Sequence, residues 1–473
     1  MELPAGWVWA RLGDLLREPL RNGHSARSTK EAGGVRTLSL SAVTQDDFSD
    51  RNTKITVADP SRVSDLWLEA GDILIQRSNT PELVGTSAIY RGSDGWAIFP
   101  DLLIRVRLDS RVNSQYVALF LRSPRARSYF KSRAKGLAGS MPKIDQAAIN
   151  GLEIPLPPVA EQDRIVEALE GHLSRLDAAV ATVRRSRKRL TNLRKSVLLD
   201  LVPEKVPDSW AVSTVGQAGT VQLGRARHPD WHHGPEMRSY LRVANVFEDR
   251  VDTSDVMEMD FSGIFEKYRL HPGDVLLNEG QSPHLVGRPA LYHGTPPNVA
   301  FTNSLLRFKA NPDVMPEWAL MVFRRHLHAR RFMREVRITT NIAHLSSKRL
   351  KDVEFPIPSL DVQKQLVMRC DESLAAIDAM DREAARTLAR ADNLRRAILN
   401  RAFTGALVPQ DPADEPAAAL LARVEAERAA QPKPKRTRRM PAEPQKAKSP
   451  EVSAPAPSPT PAPTHSVQQE FDL

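Results

Sequence analysis

Two stretches of this chain concentrate positive side chains with almost no acid between them. Arg122, Arg125, Arg127, Lys131, Arg133 and Lys135 crowd residues 122–136, which hold no Asp or Glu. Arg324, Arg325, Arg330, Arg331, Arg334 and Arg337 crowd residues 324–337, where Glu335 is the one acid. Guanidinium and ammonium groups neutralise phosphates and release counterions, so such patches give affinity for a polyanion without reading its sequence. Reading needs paired donors and acceptors: Arg toward guanine, Asn or Gln toward adenine, Asp or Glu toward cytosine. Two loop positions in each half offer them. Residues 76–80 (Gln-Arg-Ser-Asn-Thr) match 278–282 (Asn-Glu-Gly-Gln-Ser), and 139–143 (Gly-Ser-Met-Pro-Lys) match 339–341 (Thr-Thr-Asn). The candidate contacts there are Arg77, Asn79 and Lys143 in the first half and Asn278, Gln281, Thr339, Thr340 and Asn341 in the second. Matching frames with different residues are what a duplicated reader of two different targets requires.

Catalytic constellations are missing. The sequence has no Gly-x-x-x-x-Gly-Lys-Ser/Thr phosphate loop and no Gly-x-Gly-x-x-Gly turn. It has no Asn/Asp-Pro-Pro-aromatic motif for holding a flipped base. His228, His232 and His233 fit no established metal-ligand spacing, and the single cysteine, Cys370, excludes an intrachain disulfide and a thiolate cluster. The pattern is that of a binder.

These residues recur because the chain repeats itself at a shift of about 200 positions. Leu3-Pro4-Ala5-Gly6-Trp7 matches Val206-Pro207-Asp208-Ser209-Trp210, Gly71-Asp72-Ile73-Leu74 matches Gly273-Asp274-Val275-Leu276, and Leu83-Val84-Gly85 matches Leu285-Val286-Gly287. Ile154-Pro155-Leu156-Pro157 matches Phe355-Pro356-Ile357-Pro358, and Gln162 matches Gln363. A repeat this long is a duplicated domain pair, beyond the roughly 20–50 residues of solenoid units. Residues 1–157 and 204–358 read as mixed α/β globules. Strands are expected at Gly34–Val43, Asp72–Ile75, Thr86–Tyr90 and Leu102–Leu108, then at Tyr240–Phe247, Asp274–Leu277, Pro289–Tyr292 and Ser304–Phe308. Helices are expected at Ser114–Lys131 and Pro316–Val336.

Residues 158–203 and 359–409 differ. Apolar residues step by three and four through Val166, Leu169, Leu173, Leu176, Val180, Val183, Leu190 and Val197, with Arg187 and Arg194 interrupting. The second segment repeats this through Val367, Cys370, Leu374, Ile377, Ala384, Leu388, Ala391 and Ile398. That period marks a coiled-coil seam. If the ends of the second globule lie together, the two helices run antiparallel. The predicted fold class is α/β: two similar mixed α/β globules separated by two long antiparallel helices forming a coiled coil, in a pseudo-two-fold arrangement. From residue 410 to 473 the composition shifts to Pro, Ala and Lys/Arg. A short helix is expected at Ala417–Arg428, then a disordered tail with the basic run 433–439.

The 473 residues carry a formal charge of +10, which favours polyanionic partners. No apolar run reaches the ~18 residues of a membrane span, and no signal peptide is apparent. A soluble cytoplasmic protein is expected.

Residues 1–409 resemble the specificity subunit of type I restriction-modification systems. Leu3-Pro4-x-Gly6-Trp7, Tyr240-Leu241-Arg242-Val243-Ala244-Asn245-Val246, the Gly-Asp-Ile/Val-Leu strands, and Pro155-Leu156-Pro157-Pro158-x-x-Glu161-Gln162 with Ile165-Val166 carry the resemblance. The strongest stretch is Ala402-Phe403-Thr404-Gly405-Ala406-Leu407-Val408-Pro409 with Gln410-Asp411-Pro412-x-Asp414-Glu415-Pro416. The resemblance implies that each globule is a target recognition domain reading one half of a split DNA site. It implies a helical spacer docking modification (methyltransferase) subunits, two in number, and a separate restriction and translocase subunit. It implies that S-adenosylmethionine and ATP belong to those partners, with no cofactor, metal or catalytic residue here. Tyr240–Val246 and Leu38–Val43 would be framework strands. Ser140-Met141-Pro142-Lys143 departs from the Thr/Asn-rich loop that 339–342 resembles, and the basic Pro-rich tail is atypical. Two other readings stand beside this one: a reader in a methylation-only or phage-exclusion system, and a coiled-coil scaffold that binds proteins alone.

Overall fold

The two halves build the same sheet. In the computed structural model, which describes residues 2–30, 33–136, 141–339 and 342–430, strands Arg21–Asn22, Leu103–Val106, Ile73–Gln76 and Ser87–Ile89 lie side by side in that order. The second half repeats it with Gly219–Leu223, Leu305–Ala310, Val275–Asn278 and Pro289–Leu291. All neighbours are antiparallel, and the registers coincide: Gln76 faces Leu103 as Asn278 faces Leu305. Of the central strands, Ile73–Gln76 and Val275–Asn278 are buried throughout, as their Ile/Leu/Val runs require.

The repeated glycines have a shared cause. Gly85 and Gly287 hold φ of +73° and +74°, where a side chain is strained. A Cβ on either would also strike the side chain of Phe130 or Phe332, at 2.6 and 2.4 Å. Leu-Val-Gly thus marks a turn pressed onto a buried phenylalanine.

Some elements differ from expectation. Gly34–Val43 is a strand only over Val35–Leu38, then a helical turn, Leu40–Thr44. Ser39 and Ser41 bond Asn52, and Gln76 donates to Leu40 O and Thr44 Oγ1. The matching stretch is a strand to Leu241 and a tight turn at Val243–Asn245, drawn in by the Asn245 side chain. The framework stretches Leu38–Val43 and Tyr240–Val246 are therefore mostly turn. Ser114–Lys131 is two helices, Ser114–Leu121 and Pro124–Arg133. Proline lacks an N–H and disfavours helix at the residue before it, so Ser123-Pro124 breaks the run. The second half continues unbroken from Pro316 to His328 and ends at Arg330, whose φ is +55°.

Each globule closes on itself. Val8–Arg11 pairs antiparallel with Glu153–Leu156, and Ala211–Thr214 with Glu354–Ile357. The second pairing brings the end of one long helix, Val159–Leu201, to the start of the other, Leu360–Phe403. The helices run antiparallel. As the first advances through Asp177, Arg187 and Arg194, its ion-pair partners retreat through Arg395, Asp381 and Asp378. At ~1.5 Å per residue each is about 65 Å long. The first globule packs on Ile165, Leu169, Leu399, Ala402 and Phe403. The second packs on Leu198, Cys370, Leu374 and Ile377. The globules therefore sit at opposite ends of the helix pair.

The repeated glutamine pins each globule to its helix. Gln162 accepts from Asn113 N at 3.0 Å and donates to Pro157 O at 3.0 Å. Gln363 accepts from Met315 N at 2.8 Å and donates to Asp313 O and Pro358 O. Both are fully buried, and buried amides need such partners. The chain divides into two compact units, Met1–Val424 and Glu425–Leu473. The last helix, Ala417–Ala430, starts in the first, where Ala417, Leu420 and Val424 join the first globule's core. The tail, including the basic run 433–439, lies outside the described residues.

Candidate nucleic-acid interface

One edge of each four-stranded sheet gathers its loops. In the first globule Arg21–Asn22 and Ile73–Gln76 end there, and Ser87–Ile89 and Leu103–Val106 begin there. Segments 23–34, 77–86 and 100–102 therefore leave from a common end. A fourth segment joins them: Lys135 bridges Lys143, and Lys143 bridges Ser78. Arg77 is clamped in the middle, its N donating to Leu102 O (2.8 Å) and its O accepting from Ile144 N (2.9 Å).

The second globule repeats the junction. Arg337–Thr339 and Ile342–His344 form a hairpin that pairs with Gly280–Gln281, His344 facing Gly280 and Arg337. Glu279 N donates to Ser304 O (2.9 Å), and Glu279 O accepts from Leu345 N (2.8 Å). Segments about 60 residues apart in sequence thus meet in each half, through Ser78 and Lys143 in the first and through Gly280–Gln281 and Ile342–His344 in the second.

The structure sorts the candidate contacts. At the first edge Arg77 is half-buried and Lys143 and Lys135 are exposed. Asn79 is spent on its turn, donating to Gln76 Oε1 (2.7 Å) and accepting from Thr80 N (2.8 Å). Gln281 accepts from Ser282 N (3.0 Å) and is half-buried. Asn278 is a correction: it is wholly buried at the end of a central strand and cannot touch a base. Its two side-chain polar atoms find no partner among the described residues, whereas Gln76 in the same place is satisfied. Thr339 ends a hairpin strand. Thr340 and Asn341, with Gly139 and Ser140, lie outside the described residues.

The basic patches divide too. Arg324 and Arg325 are corrections, only 4% and 6% exposed. Arg324 pairs with Glu248 and Asp249 at 3.1 and 3.0 Å, and Arg325 donates to Val202 O, where the first long helix ends. Arg331 is held between Glu335 and Glu354. Arg127 donates to the carbonyls of Glu82 and Val84, and Arg122 pairs with Asp46 at 3.1 Å. Burial of an arginine requires such partners, so Arg127, Arg324, Arg325 and Arg331 are engaged in holding the fold, while Arg122 stays exposed beside Asp46. Arg125, Lys131, Arg133, Lys135, Arg330, Arg334 and Arg337 stay exposed.

Sequence reasoning missed three things here. One is a reversal of charge: Glu279 stands where Arg77 stands, and its carboxylate meets His344 Nδ1 at 3.2 Å. Another is the segment from Arg225, a neighbour of the same edge. The Arg225 guanidinium lies 4.0 Å from the Trp231 ring and 5.1 Å from Phe261, and its carbonyl accepts from Asn303 N. Arg-x-Arg-His-Pro-x-Trp was the available signal, basic and aromatic together. The last is Arg11, which joins Arg125, Arg133 and Lys135 around a cavity of about 550 Å³. Among the described residues no group of three or more His, Cys, Asp or Glu is arranged to hold a metal. Among them no helix is long and apolar enough to cross a membrane.

Known proteins resemble this chain in sequence and fold. Residues 4–184 match the family model described as the type I restriction modification DNA specificity domain. The specificity subunit of the type I restriction enzyme EcoKI of Escherichia coli is 26% identical over 347 residues, spanning 69% of this chain and 74% of its own. The putative MjaX specificity subunit of Methanocaldococcus jannaschii is 21% identical over 431 residues, spanning 85% and 94%. A structure solved to explain complex assembly and conformational transition of the type I R-M system superposes with a TM-score of 0.69 at 19% identity. It covers 86% of this chain and all of its own.

Proposed function

We propose a function for this chain as a member of the family of type I restriction-modification specificity subunits, to which it belongs. The chain reads a split site in double-stranded DNA, one half with each globule, and leaves a gap unread beneath the helix pair. One observation carries this: two sheet edges of the same construction, with different side chains, stand at opposite ends of one antiparallel helical bar. Two readers on a rigid frame fit a duplex whose grooves recur each helical turn.

In this reading residues 1–157 and 204–358 are the target recognition domains, and residues 158–203 and 359–409 form the spacer. Arg77, Lys143, Gln281, Thr339, Thr340 and Asn341 stand at the base edges. Arg125, Lys131, Arg133, Lys135, Arg330, Arg334 and Arg337 face phosphates. Catalysis belongs to partners: two modification subunits that methylate DNA and a restriction and translocase subunit, all meeting in the cytoplasm. The partners, not this chain, hold S-adenosylmethionine and ATP.

The test is to express the chain with its modification subunits and map methylated bases across a genome. Two short motifs separated by a fixed unread gap are expected. A continuous motif, or methylation indifferent to exchange of residues 204–358, overturns the reading.

A further inference from the structure

We infer that the first globule carries a groove for DNA backbone phosphates that the second globule lacks, so the two readers grip the duplex unequally. The inference rests on the DNA-reading function proposed above.

The groove is the cavity of about 550 Å³ between the helix Pro124–Arg133, the Lys135–Lys143 bridge and the terminal strand pair. Arg11, Arg125, Arg133 and Lys135 line it, against two acids, Asp145 and Glu153. Positive charge therefore exceeds negative by two. Asp145 lies 3.5 Å from Lys135 but is also held by Ala148 N at 2.8 Å, as the cap of a helical turn. Two of the cations are positioned by rings: Arg125 sits 4.4 Å from the centroid of Trp9, and Arg133 sits 5.3 Å from that of Tyr129. Stacking on an aromatic face leaves a guanidinium free to bond an anion with its edge.

The second globule shows the same place closed. The terminal strand pairs align Arg11 with Thr214 and Glu153 with Glu354. The glycine–phenylalanine contacts, Gly85 on Phe130 and Gly287 on Phe332, align Tyr129 with Arg331. Arg133 then matches Glu335, and Arg125 matches Leu327. In the second globule Arg331 reaches Glu354 at 2.7 Å and Glu335 at 2.8 Å. Its charge is consumed inside the protein, and the site is plugged. In the first globule a tyrosine replaces the plug and an arginine replaces one of its acids.

Nucleic acid is the occupant the geometry favours. Lys135 belongs both to the groove and to the bridge with Lys143, which pairs with Ser78 at the reading edge. A duplex following that bridge meets the groove next. Phosphates offer the anionic oxygens that a cluster of arginines and a lysine bonds, with counterion release adding affinity.

The experiment measures DNA affinity of the full chain in complex with its modification subunits between about 50 and 200 mM salt, the range over which phosphate contacts dominate. A variant with Arg125→Gln, Arg133→Gln and Lys135→Gln is expected to flatten the slope of log K against log salt by about 2–3. Cognate and unrelated duplexes weaken alike. Lys135→Gln alone, at a side chain 84% exposed and tolerant of change, is expected to flatten it by about 0.9. Tyr129→Arg with Arg133→Glu rebuilds the second globule's plug. It alters net charge by one unit, yet is expected to match the triple variant's loss. An unchanged slope in the triple variant, or a plug variant that loses no more than its single charge explains, overturns the groove. So does lost assembly with an unchanged slope, which makes the occupant an acidic protein segment. A parent protein with no salt-dependent DNA affinity refutes the reading beneath as well. A flat result confined to the variants supports the groove alone.

Discussion

Arg122 and Arg324 make the same ion pair in the two globules, each with an aspartate in left-handed backbone, Asp46 at φ +52° and Asp249 at +60°. The surroundings differ. The Arg122 side chain is 46% exposed, that of Arg324 only 5%, and Arg324 adds Glu248, which also bonds His328. Burial pushes Asp249 above the usual carboxylate range, with Arg324 drawing it back. Matched charges in a repeat thus need not share a role. One copy is a surface contact and the other holds the core together.

The largest effect should come from breaking that pair. Arg324→Ala is expected to cost about 2–3 kcal/mol, because it leaves the part-exposed Glu248 and Asp249 carboxylates without their buried cation. Arg122→Ala should cost under about 1 kcal/mol, as exposed pairs do. Denaturant unfolding checks both, and equal losses would erase the distinction between the two copies.

Next in size is the charge reversal at the proposed reading edges. Four matching backbone hydrogen bonds superpose Arg77 and Glu279, yet one side chain donates and the other accepts. A carboxylate repels phosphates and is useful toward an exocyclic amine, on cytosine above all. Glu279→Arg should therefore change one base of one half-motif toward guanine, by about 5- to 150-fold in preference, or about 1–3 kcal/mol. The other half-motif should stay as it was. Methylation mapping reads this directly, and an unaltered motif removes Glu279 from the reading surface.

A third difference follows from one proline. Ser123-Pro124 ends a helix in the first globule, while the second continues through Arg325-His326 and must bury both. Burial holds the His326 pKa down to about 4, with Arg325 and Arg331 adding to it and Glu354 opposing. The Arg325 guanidinium can only donate, so Nδ1 accepts from it and Nε2–H donates to Glu354 O at 3.0 Å. The imidazole is neutral when folded. An unfolded histidine titrates near 6.5, so below that pH the unfolded chain binds a proton that the folded one refuses. Stability should fall as pH drops from about 6.5 toward 4, by about 2 kcal/mol at pH 5, then level off. Hydrogen exchange should show the loss in Pro316–His328 before Ser114–Leu121, and His326→Gln should abolish it. Equal acid sensitivity of the two helices would count against this account.

What was legible in the sequence depended on how far apart the determining residues lie. The seam of the long helices is a local period, and it is visible in one helix alone. The repeat named Gln162 and Gln363 before their buried hydrogen bonds were known. Arg324 looked like a phosphate contact because its acids, Glu248 and Asp249, come about 75 residues earlier. Asn278 looked like a base reader because nothing in its own segment reveals a strand end walled in on all sides. Glu279 was passed over because its meaning comes from Arg77, 202 positions away, and from a hairpin that closes on it from another segment.

The smallest expected effect on stability carries the comparison furthest, since it concerns the frame between the globules. Arg187 and Asp381 occupy seam positions where the heptad asks for apolar residues, and they bond each other at 2.7 Å. Arg194 pairs with Asp378 one turn nearer the second globule. The partners are about 30–43% exposed, so each pair contributes under about 1 kcal/mol. Leucine at both Arg187 and Asp381 should leave the melting temperature nearly unchanged or raise it slightly. Polar seam pairs do something else: they admit one alignment of two helices and penalise a slip. A slip by one heptad shifts one helix against the other by about 10 Å at ~1.5 Å per residue, about three base steps along a duplex. Complexes carrying the Leu–Leu variant should therefore methylate sites with more than one gap length, while both half-motifs remain as before. A single unchanged gap in that variant would mean that globule packing on Phe403 and Leu374, rather than charge in the seam, sets the distance between the readers.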